Sequence, residues 1–429
     1  MLALGDLARR PSLFLACWFV ACLAWLAAVL AARREPPRLG TALLVAALLR
    51  VLLLPVPPAL SSDAWRYLWD GRVVLALENP SRLAPDAPEL AALRPGSSWE
   101  DVEHREVPTV YPPAALGLFS ISAATAWPLV TWKTTVAVAD LLCCWWLLLL
   151  ARREGIALHR PLAYLWCPLP VLEGAGMGHL DVLAVTATVG ALLALRRLRP
   201  GVAGLAAAFG VLLKLAPAAA WPLLARASAR PRRFLLVASA VGVVGLLPMA
   251  AGGLPRGLVT YAVHWEHGGP LYEPLWRLLG TVRLSEGLAA VLAAAEERLG
   301  LHTLFAPLFP WLYPQLLAKV LLALLAVAAV VRSAMRSAGR EDRPVAATGE
   351  LFAALLLCSA TLYPWYLLWV LPFAALCGRR SWLWAAAASP LAYLPALAGL
   401  PLWPWPFLAL WIPFWVLRWK EGPWPARIA

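Results

Sequence analysis

Several groups of residues in this 429-residue chain combine side-chain types suited to proton transfer and anion binding. The first is the run Ser61-Ser62-Asp63-Ala64-Trp65-Arg66-Tyr67-Leu68-Trp69-Asp70-Gly71-Arg72, which follows an apolar stretch. On a helix, Asp63, Arg66, Tyr67 and Asp70 fall at i, i+3, i+4 and i+7 and share one face. Ser62 and Asp63 stand where capping residues stand, and the helix dipole keeps a carboxylate there ionised, as a general base must be. Spacing alone fits a capped interfacial helix with ion pairs and an aromatic belt equally well. Location tips the balance, because charges gathered at the mouth of a helix bundle are by default functional.

Glu173, His179 and Asp181 form a second group around Gly174, Gly176 and Gly178. A glycine-rich turn resembles a dinucleotide loop only superficially, since no strand precedes it and apolar helices flank it. The expected role is sugar or acceptor binding, with His179 or Asp181 assisting a base; the plain alternative is a hydrogen-bonded turn. Lys214 stands inside an apolar run just before Pro217, either snorkelling to an interface or clamping a phosphate. Arg66 is the second candidate clamp. His264, Glu266 and His267 lack a third ligand at fixed spacing, and no Asp-x-Asp element occurs, so sugar binding or structure is expected rather than metal. Tyr363-Pro364-Trp365-Tyr366 reads as an aromatic belt or as a substrate wall at a helix break. Asp140 is expected to pair with Lys133 or with a neighbouring helix.

The elements that position these groups follow from composition. Hydrophobic residues make up 62% of the chain and charged residues only 14%, against about 45–50% and about 25% in soluble domains. That excludes an ordinary soluble enzyme, a disordered chain and a disulfide scaffold. Apolar runs at 13–32, 39–60, 132–151, 161–175, 180–197, 201–225, 234–251, 313–332, 346–362, 364–378, 381–397 and 403–419 are punctuated by arginines. The clusters around Arg33, Arg152, Arg196, Arg230, Arg336, Arg379 and Arg418 share one side if 201–225 is a hairpin turning near Lys214. The net charge of +13 is therefore topological, and no nucleic-acid partner is implied. Seven cysteines lie in apolar stretches without metal spacing. The first apolar run reads as a retained helix rather than a cleaved signal.

These runs describe an all-α polytopic membrane protein of about 13 transmembrane helices, read as one membrane-embedded unit over 1–429. Two long segments, 61–131 and 252–312, fall on the side opposite the arginines, outside the cytoplasm. The first is expected to be helical at 63–78, Pro-rich at 79–113, and interfacial at 114–128.

Asp63 to Arg72, Glu78-Asn79-Pro80, Ala84-Pro85-Asp86 and Val107-Pro108-Thr109-Val110-Tyr111-Pro112-Pro113 resemble the first outer loop of bacterial GT-C glycosyltransferases. The match is to polyprenyl-phosphomannose-dependent mannosyltransferases related to glycosyltransferase family 87. The resemblance continues through Trp166 to Glu173, Gly176 to Asp181, Lys214 to Pro217, Trp265-Glu266-His267 and Tyr363 to Tyr366. Cys167, Pro170, Tyr363 and His267 depart from the family pattern; they leave the reaction type intact and bear on acceptor and sugar. The resemblance implies a GT-C-like bundle and an inverting hexosyltransferase, with mannose the expected sugar. The donor is a polyprenyl-phosphate sugar and the acceptor a lipid or glycan, on the extracytoplasmic side of a bacterial inner membrane. Asp63 is then the catalytic base, and Arg66, Tyr67, Asp70, Tyr111, Glu173, His179, Asp181, Lys214, Glu266, Trp365 and Tyr366 bind donor or acceptor. No cofactor is implied and no metal is expected.

A transporter or lipid flippase is the competing reading, since it too needs broken helices and intramembrane charge. It would place charges near the midplane, often within two similar halves, whereas here they gather at helix ends with no internal repeat. A non-catalytic scaffold would not need Asp63, Glu173, His179, Asp181 and Lys214 on one side.

Overall fold

The computed structural model describes residues 9–250, 255–300, 303–336 and 344–424. Arg340 and Arg343, and parts of the 252–312 segment, lie outside the described residues. Helix α1 (Pro11–Arg34) opens on a proline at its first turn and closes on Arg33 and Arg34. Helix α2 (Leu39–Val51) stops well short of the apolar run that contains it, because Pro55, Pro57 and Pro58 follow. The carbonyls freed there are taken by the Lys133 ammonium, which donates to Leu53 and Leu54 at 2.9 Å each.

Helix α3 (Asp63–Leu75) packs against α4 (Pro113–Ala123) across a tight contact. A Cβ at Gly71 would sit 2.4 Å from the Phe119 carbonyl, so only glycine permits this approach. Short turns at Pro88–Leu93 and Trp99–Asp101 lie between them, tied down by a small core of Trp69, Val73, Leu90 and Val102. The first long loop thus has helices at both ends and a Pro-rich middle.

The chain continues through α5 (Pro128–Arg153), α6 (His159–Leu165) and the short α7 (Pro168–Pro170), which widens into a π turn at Val171–Gly176. Gly178 follows with φ +79° and is pressed against Trp132, whose indole N–H donates to its carbonyl at 2.7 Å. Helices α8 (Asp181–Arg196) and α9 (Pro200–Leu213) come next, then a 3-10 turn at Ala216–Ala220 and α10 (Trp221–Arg226). Trp221 donates back to Ala207 at 3.4 Å, and a Cβ at Gly210 would lie 3.6 Å from Pro217. The chain therefore doubles back along α9, with Lys214 at the bend. Helix α11 (Pro231–Ala250) then runs parallel to α9, with Gly204 beside Phe234 and Gly245 beside Leu212.

Helices α12 (Arg256–His264), α13 (Tyr272–Thr281) and α14 (Leu284–Leu299) precede the long α15 (Pro314–Arg336). The last third holds α16 (Pro344–Leu357), a 3-10 turn at Pro364–Trp369, and then α17 (Leu371–Cys377), α18 (Arg380–Ala388), α19 (Leu394–Ala398) and α20 (Trp405–Glu421). Among the described residues there is no strand, only isolated bridges from His267 and Gly268 to Thr361.

Four described helices are long and apolar enough to cross a bilayer: Pro11–Arg34, Pro128–Arg153, Pro231–Ala250 and Pro314–Met335. Tyr272–Thr281 with Leu284–Leu299, bent by 59°, makes a fifth candidate inside the segment expected to be a loop. A count of about 13 spans is not what these helices show. Proline breaks most of the remaining apolar runs into helices shorter than the ~20 residues a span needs. The outer faces of the long helices carry exposed large apolar side chains, among them Phe19, Leu236, Val243 and Leu324, which suit a lipid environment. This is a helical membrane protein.

Within the bundle, Asp140 of α5 pairs with Arg50 of α2 at 2.8 Å and accepts from the Tyr164 hydroxyl at 2.7 Å. Of the two expected partners, the neighbouring helix provides it; Lys133 is engaged with the carbonyls beyond α2.

Candidate active site

Asp63 opens α3 at the edge of a cavity of about 980 Å³. The cavity is walled by the first loop, the bend at Lys214, α12, α16 and the aromatic turn at 363–369. The Ser62 side chain makes no cap, contrary to its expected place; instead the Asp63 backbone N–H donates to the Ser61 hydroxyl at 3.2 Å. Asp63 Oδ2 accepts from the Tyr67 hydroxyl one turn on, at 3.3 Å. It also lies 3.4 Å from His179 Nδ1. The other ring nitrogen of His179 is 3.2 Å from Glu173 Oε2, and Tyr393 donates to both Glu173 oxygens at 2.9 and 3.0 Å. One imidazole thus sits between two carboxylates. Glu173 and His179 are fully buried, whereas the Asp63 side chain keeps 31% of its surface open to the cavity.

The charge states follow from these contacts. Burial pushes the His179 imidazole down, but Asp63 and Glu173 outweigh it and raise its pKa to about 9. Burial likewise pushes the Asp63 carboxyl up. Contact with His179, the Lys214 charge and the Tyr67 hydroxyl overcome it and hold Asp63 below its ordinary value. At neutral pH His179 is an imidazolium beside an ionised Asp63 that faces the cavity, with Glu173 at its other nitrogen.

Asp181 stands behind the same wall. Its Oδ1 accepts from Lys214 and from the Trp369 indole, both at 2.6 Å, while its buried Oδ2 has no partner among the described residues. The Lys214 ammonium also lies 4.6 Å above the Tyr366 ring, and the Tyr366 hydroxyl meets that of Tyr261 at 2.5 Å. Lys214 is therefore an ion-paired cation at the cavity edge, not the isolated one its apolar sequence context suggests. Four rings make a continuous stack along one wall. His179 lies 4.0 Å from Trp365, Trp365 lies 4.5 Å from Tyr363, and Tyr363 lies 4.3 Å from His267. Such a wall suits the faces of sugar rings and the apolar stem of a lipid.

Of the residues singled out from the sequence, Asp63, Arg66, Tyr111, Lys214, Trp365 and Tyr366 line the cavity. Tyr67, His179 and Asp181 lie directly behind them, touching Asp63 or Lys214, and Glu173 lies one layer further back, against His179. Two are not brought in. Asp70 is buried and pairs with Arg66 at 2.9 Å. Glu266 turns away to Lys319 at 3.0 Å, although its neighbours Trp265 and His267 do line the cavity. Arg66 holds the first loop in place, donating to the Val107 carbonyl at 2.8 Å. Sequence reasoning missed Tyr393 and Trp369, whose only signal was their place in apolar runs. Among the described residues, no group of three or more His, Cys, Asp or Glu could hold a metal ion.

A helical membrane protein with an acid–base cluster at the mouth of an aromatic cavity is the class this architecture defines. A family model described as alpha-(1->6)-mannopyranosyltransferase, N-terminal domain, matches residues 8–230. That is just over half of the chain, which belongs to this mannosyltransferase family and is a glycosyltransferase. No curated protein and no solved structure matches it.

Proposed function

We propose that the cavity transfers mannose from a polyprenyl-monophosphate donor to a hydroxyl of a lipid or glycan acceptor, with inversion. The observation that carries this reading is Asp63, a carboxylate held ionised by His179 yet open to the cavity. In the transfer, Asp63 takes the proton of the acceptor hydroxyl as that oxygen bonds to the anomeric carbon. The bond from that carbon to the phosphate oxygen breaks, and polyprenyl phosphate leaves with the electron pair. Inversion to an α linkage requires a β-linked donor. Lys214, which lines the cavity with Asp63, is the cation for the leaving phosphate, with Asp181 aiming it. The Trp365–Tyr363 stack holds sugar faces, and Tyr111, Tyr366 and Arg66 complete the wall. Asp70 sets Arg66, and Glu266 keeps the Trp265–His267 strip in register through Lys319.

The reading extends to sidedness. Asp181 and Lys214 lie at the ends of α8 and α9 opposite Arg196 and Arg199. The positive-inside rule then places the cavity outside the cytoplasm, at the outer face of a bacterial inner membrane.

The test is transfer of label from polyprenyl-phosphomannose by membranes carrying the wild type or Asp63→Asn. The amide keeps the size of the side chain and an acceptor for Tyr67, and removes the base. A positioned base contributes about 10²–10⁴-fold, so that loss is expected at normal expression. Near-normal turnover in Asp63→Asn would sink the mechanism.

A further inference from the structure

At the far end of α8 the chemistry is of another kind. The helix runs from Asp181 at the cavity to Arg196, about 22 Å away at 1.5 Å per residue. There the α8–α9 turn, the start of α11 and the end of α5 enclose two adjoining clefts of about 500 and 420 Å³, which share Leu198 and Arg199. Arg153, Arg196, Arg197, Arg199, Arg230 and Arg233 line them. No carboxylate is among the residues that line either cleft, and Glu154 beside them takes Arg196 at 2.5 Å. In sequence, no Asp or Glu occurs between Asp181 and Glu266. The positive-inside rule explains the sign of this charge. It does not explain why four arginines line one cleft and three the other, with Arg199 shared, where each raises the cost of the others unless an anion joins them.

A second observation identifies the kind of anion. Leu198 at the junction of the clefts is 75% exposed, and Val202, Leu205 and Phe209 continue from it at 53%, 52% and 43% exposure. Leu198 stands in the turn before α9, and Val202, Leu205 and Phe209, spaced by three and four residues, share one face of α9, so an uncovered apolar stripe leads away from the arginines. From Val202 to Phe209 the stripe runs roughly 10 Å along α9, most of the ~15 Å hydrocarbon depth of one leaflet. A cationic cleft continuous with an apolar track that enters the bilayer has the shape complementary to an anionic amphiphile.

We propose that this cleft binds the headgroup of an anionic phospholipid, with an acyl chain lying along Leu198, Val202, Leu205 and Phe209. The site is separate from the catalytic cavity and uses none of its residues.

The experiment uses purified full-length protein in neutral detergent, with retained lipid read by native mass spectrometry. The probes are dioleoylphosphatidylglycerol, dioleoylphosphatidylcholine and inorganic phosphate. Each arginine near a lipid phosphate contributes a factor of about five, so Arg199→Gln with Arg233→Gln should retain phosphatidylglycerol about thirtyfold more weakly. Arg152→Gln with Arg232→Gln removes the same charge from the same end but from residues outside the cleft lining. That pair should stay within about threefold of wild type. If the first pair does not fold, Arg199→Gln alone should still cost about fivefold. Equal losses in both pairs, or phosphatidylcholine bound as tightly as phosphatidylglycerol, overturn the proposal. Displacement of phosphatidylglycerol by inorganic phosphate at equal concentration assigns the cleft to free phosphate and also overturns it.

Discussion

Glu173→Gln separates the electrostatic role of the buried cluster from its packing. The amide preserves an acceptor for Tyr393 and removes a charge 3.2 Å from the His179 ring. In the wild type, His179 goes from an ordinary 6.5 to about 9 on folding. At 1.36 kcal/mol per tenfold, that favours the folded state by about 3 kcal/mol, undiminished by solvent because the ring is fully buried. A raised pKa stabilises the protein while the group is protonated. The contribution is therefore complete below pH 6.5 and is lost as pH rises toward about 9. The two carboxylates lie at nearly equal distances, 3.2 and 3.4 Å, so they act about equally, against a burial penalty that stays. With Glu173 neutral, at most about half of that should survive, and the alkaline end should fall by at least about one pH unit. Equilibrium unfolding in mixed SDS micelles, followed by tryptophan fluorescence from about pH 6 to about pH 10, measures both curves. Parallel curves for wild type and Glu173→Gln across this window would refute the assignment of His179 as an imidazolium held by two carboxylates.

Other expectations follow from the same geometry. Lys214→Ala should raise the Michaelis constant for the lipid-phosphate donor about 10- to 150-fold, the worth of a lost charge-assisted contact; unchanged donor affinity would make Lys214 only the partner of Asp181. Asp140→Ala leaves Arg50 buried and alone and should destabilise by about 3–5 kcal/mol, whereas Arg50→Met with Asp140→Leu should be near neutral. Equal losses in single and double variants, read by the same unfolding assay, would show that the ion pair is worth more than its volume. For sidedness, a cysteine at exposed Glu100 should react with an impermeant thiol reagent on intact cells, and one at Arg232 only after permeabilisation. The reverse pattern would invert the orientation and remove the basis for an outer-leaflet donor.

Much of the fold was legible because lipid imposes one simple requirement, long apolar runs with charges at their ends. The helix at Asp63, the Pro-rich middle of the first loop, the helix at 113–123 and the doubling back at Lys214 all lie where pattern and proline placed them. The span count was not legible, since a hydropathy run does not reveal where Pro168, Pro364 or Pro390 divides it into shorter pieces. For the site, side-chain types were readable and partners were not. Asp63 and Tyr67 are neighbours by helical spacing alone. Lys214 meets Asp181 across 33 residues, and Tyr393 reaches Glu173 across 220, from an apolar run with no polar signal. Only the bundle's packing brings these together. Asp70 and Glu266 show the converse, charged residues beside the right motifs whose partners turn them away from the cavity.

The Arg50–Asp140 pair also sets a schedule for biosynthesis. Arg50 sits in a helix of 13 residues, and its carboxylate is made 90 residues later. Arg50 stands in the last turn of α2 but midway along the apolar run 39–60, and an arginine at that depth costs up to about 2.5–3.5 kcal/mol to pass into lipid alone. Helix α2 therefore has reason to stay beside the translocon until α5 emerges, about 5–20 s later at ordinary elongation rates. A ribosomal pause between these codons prolongs a half-inserted state, and one after Arg153 does not. Nascent chains truncated before Asp140 should crosslink α2 to the translocon, and chains extended past Arg153 should not; equal crosslinking in both would show that Arg50 enters lipid unaided.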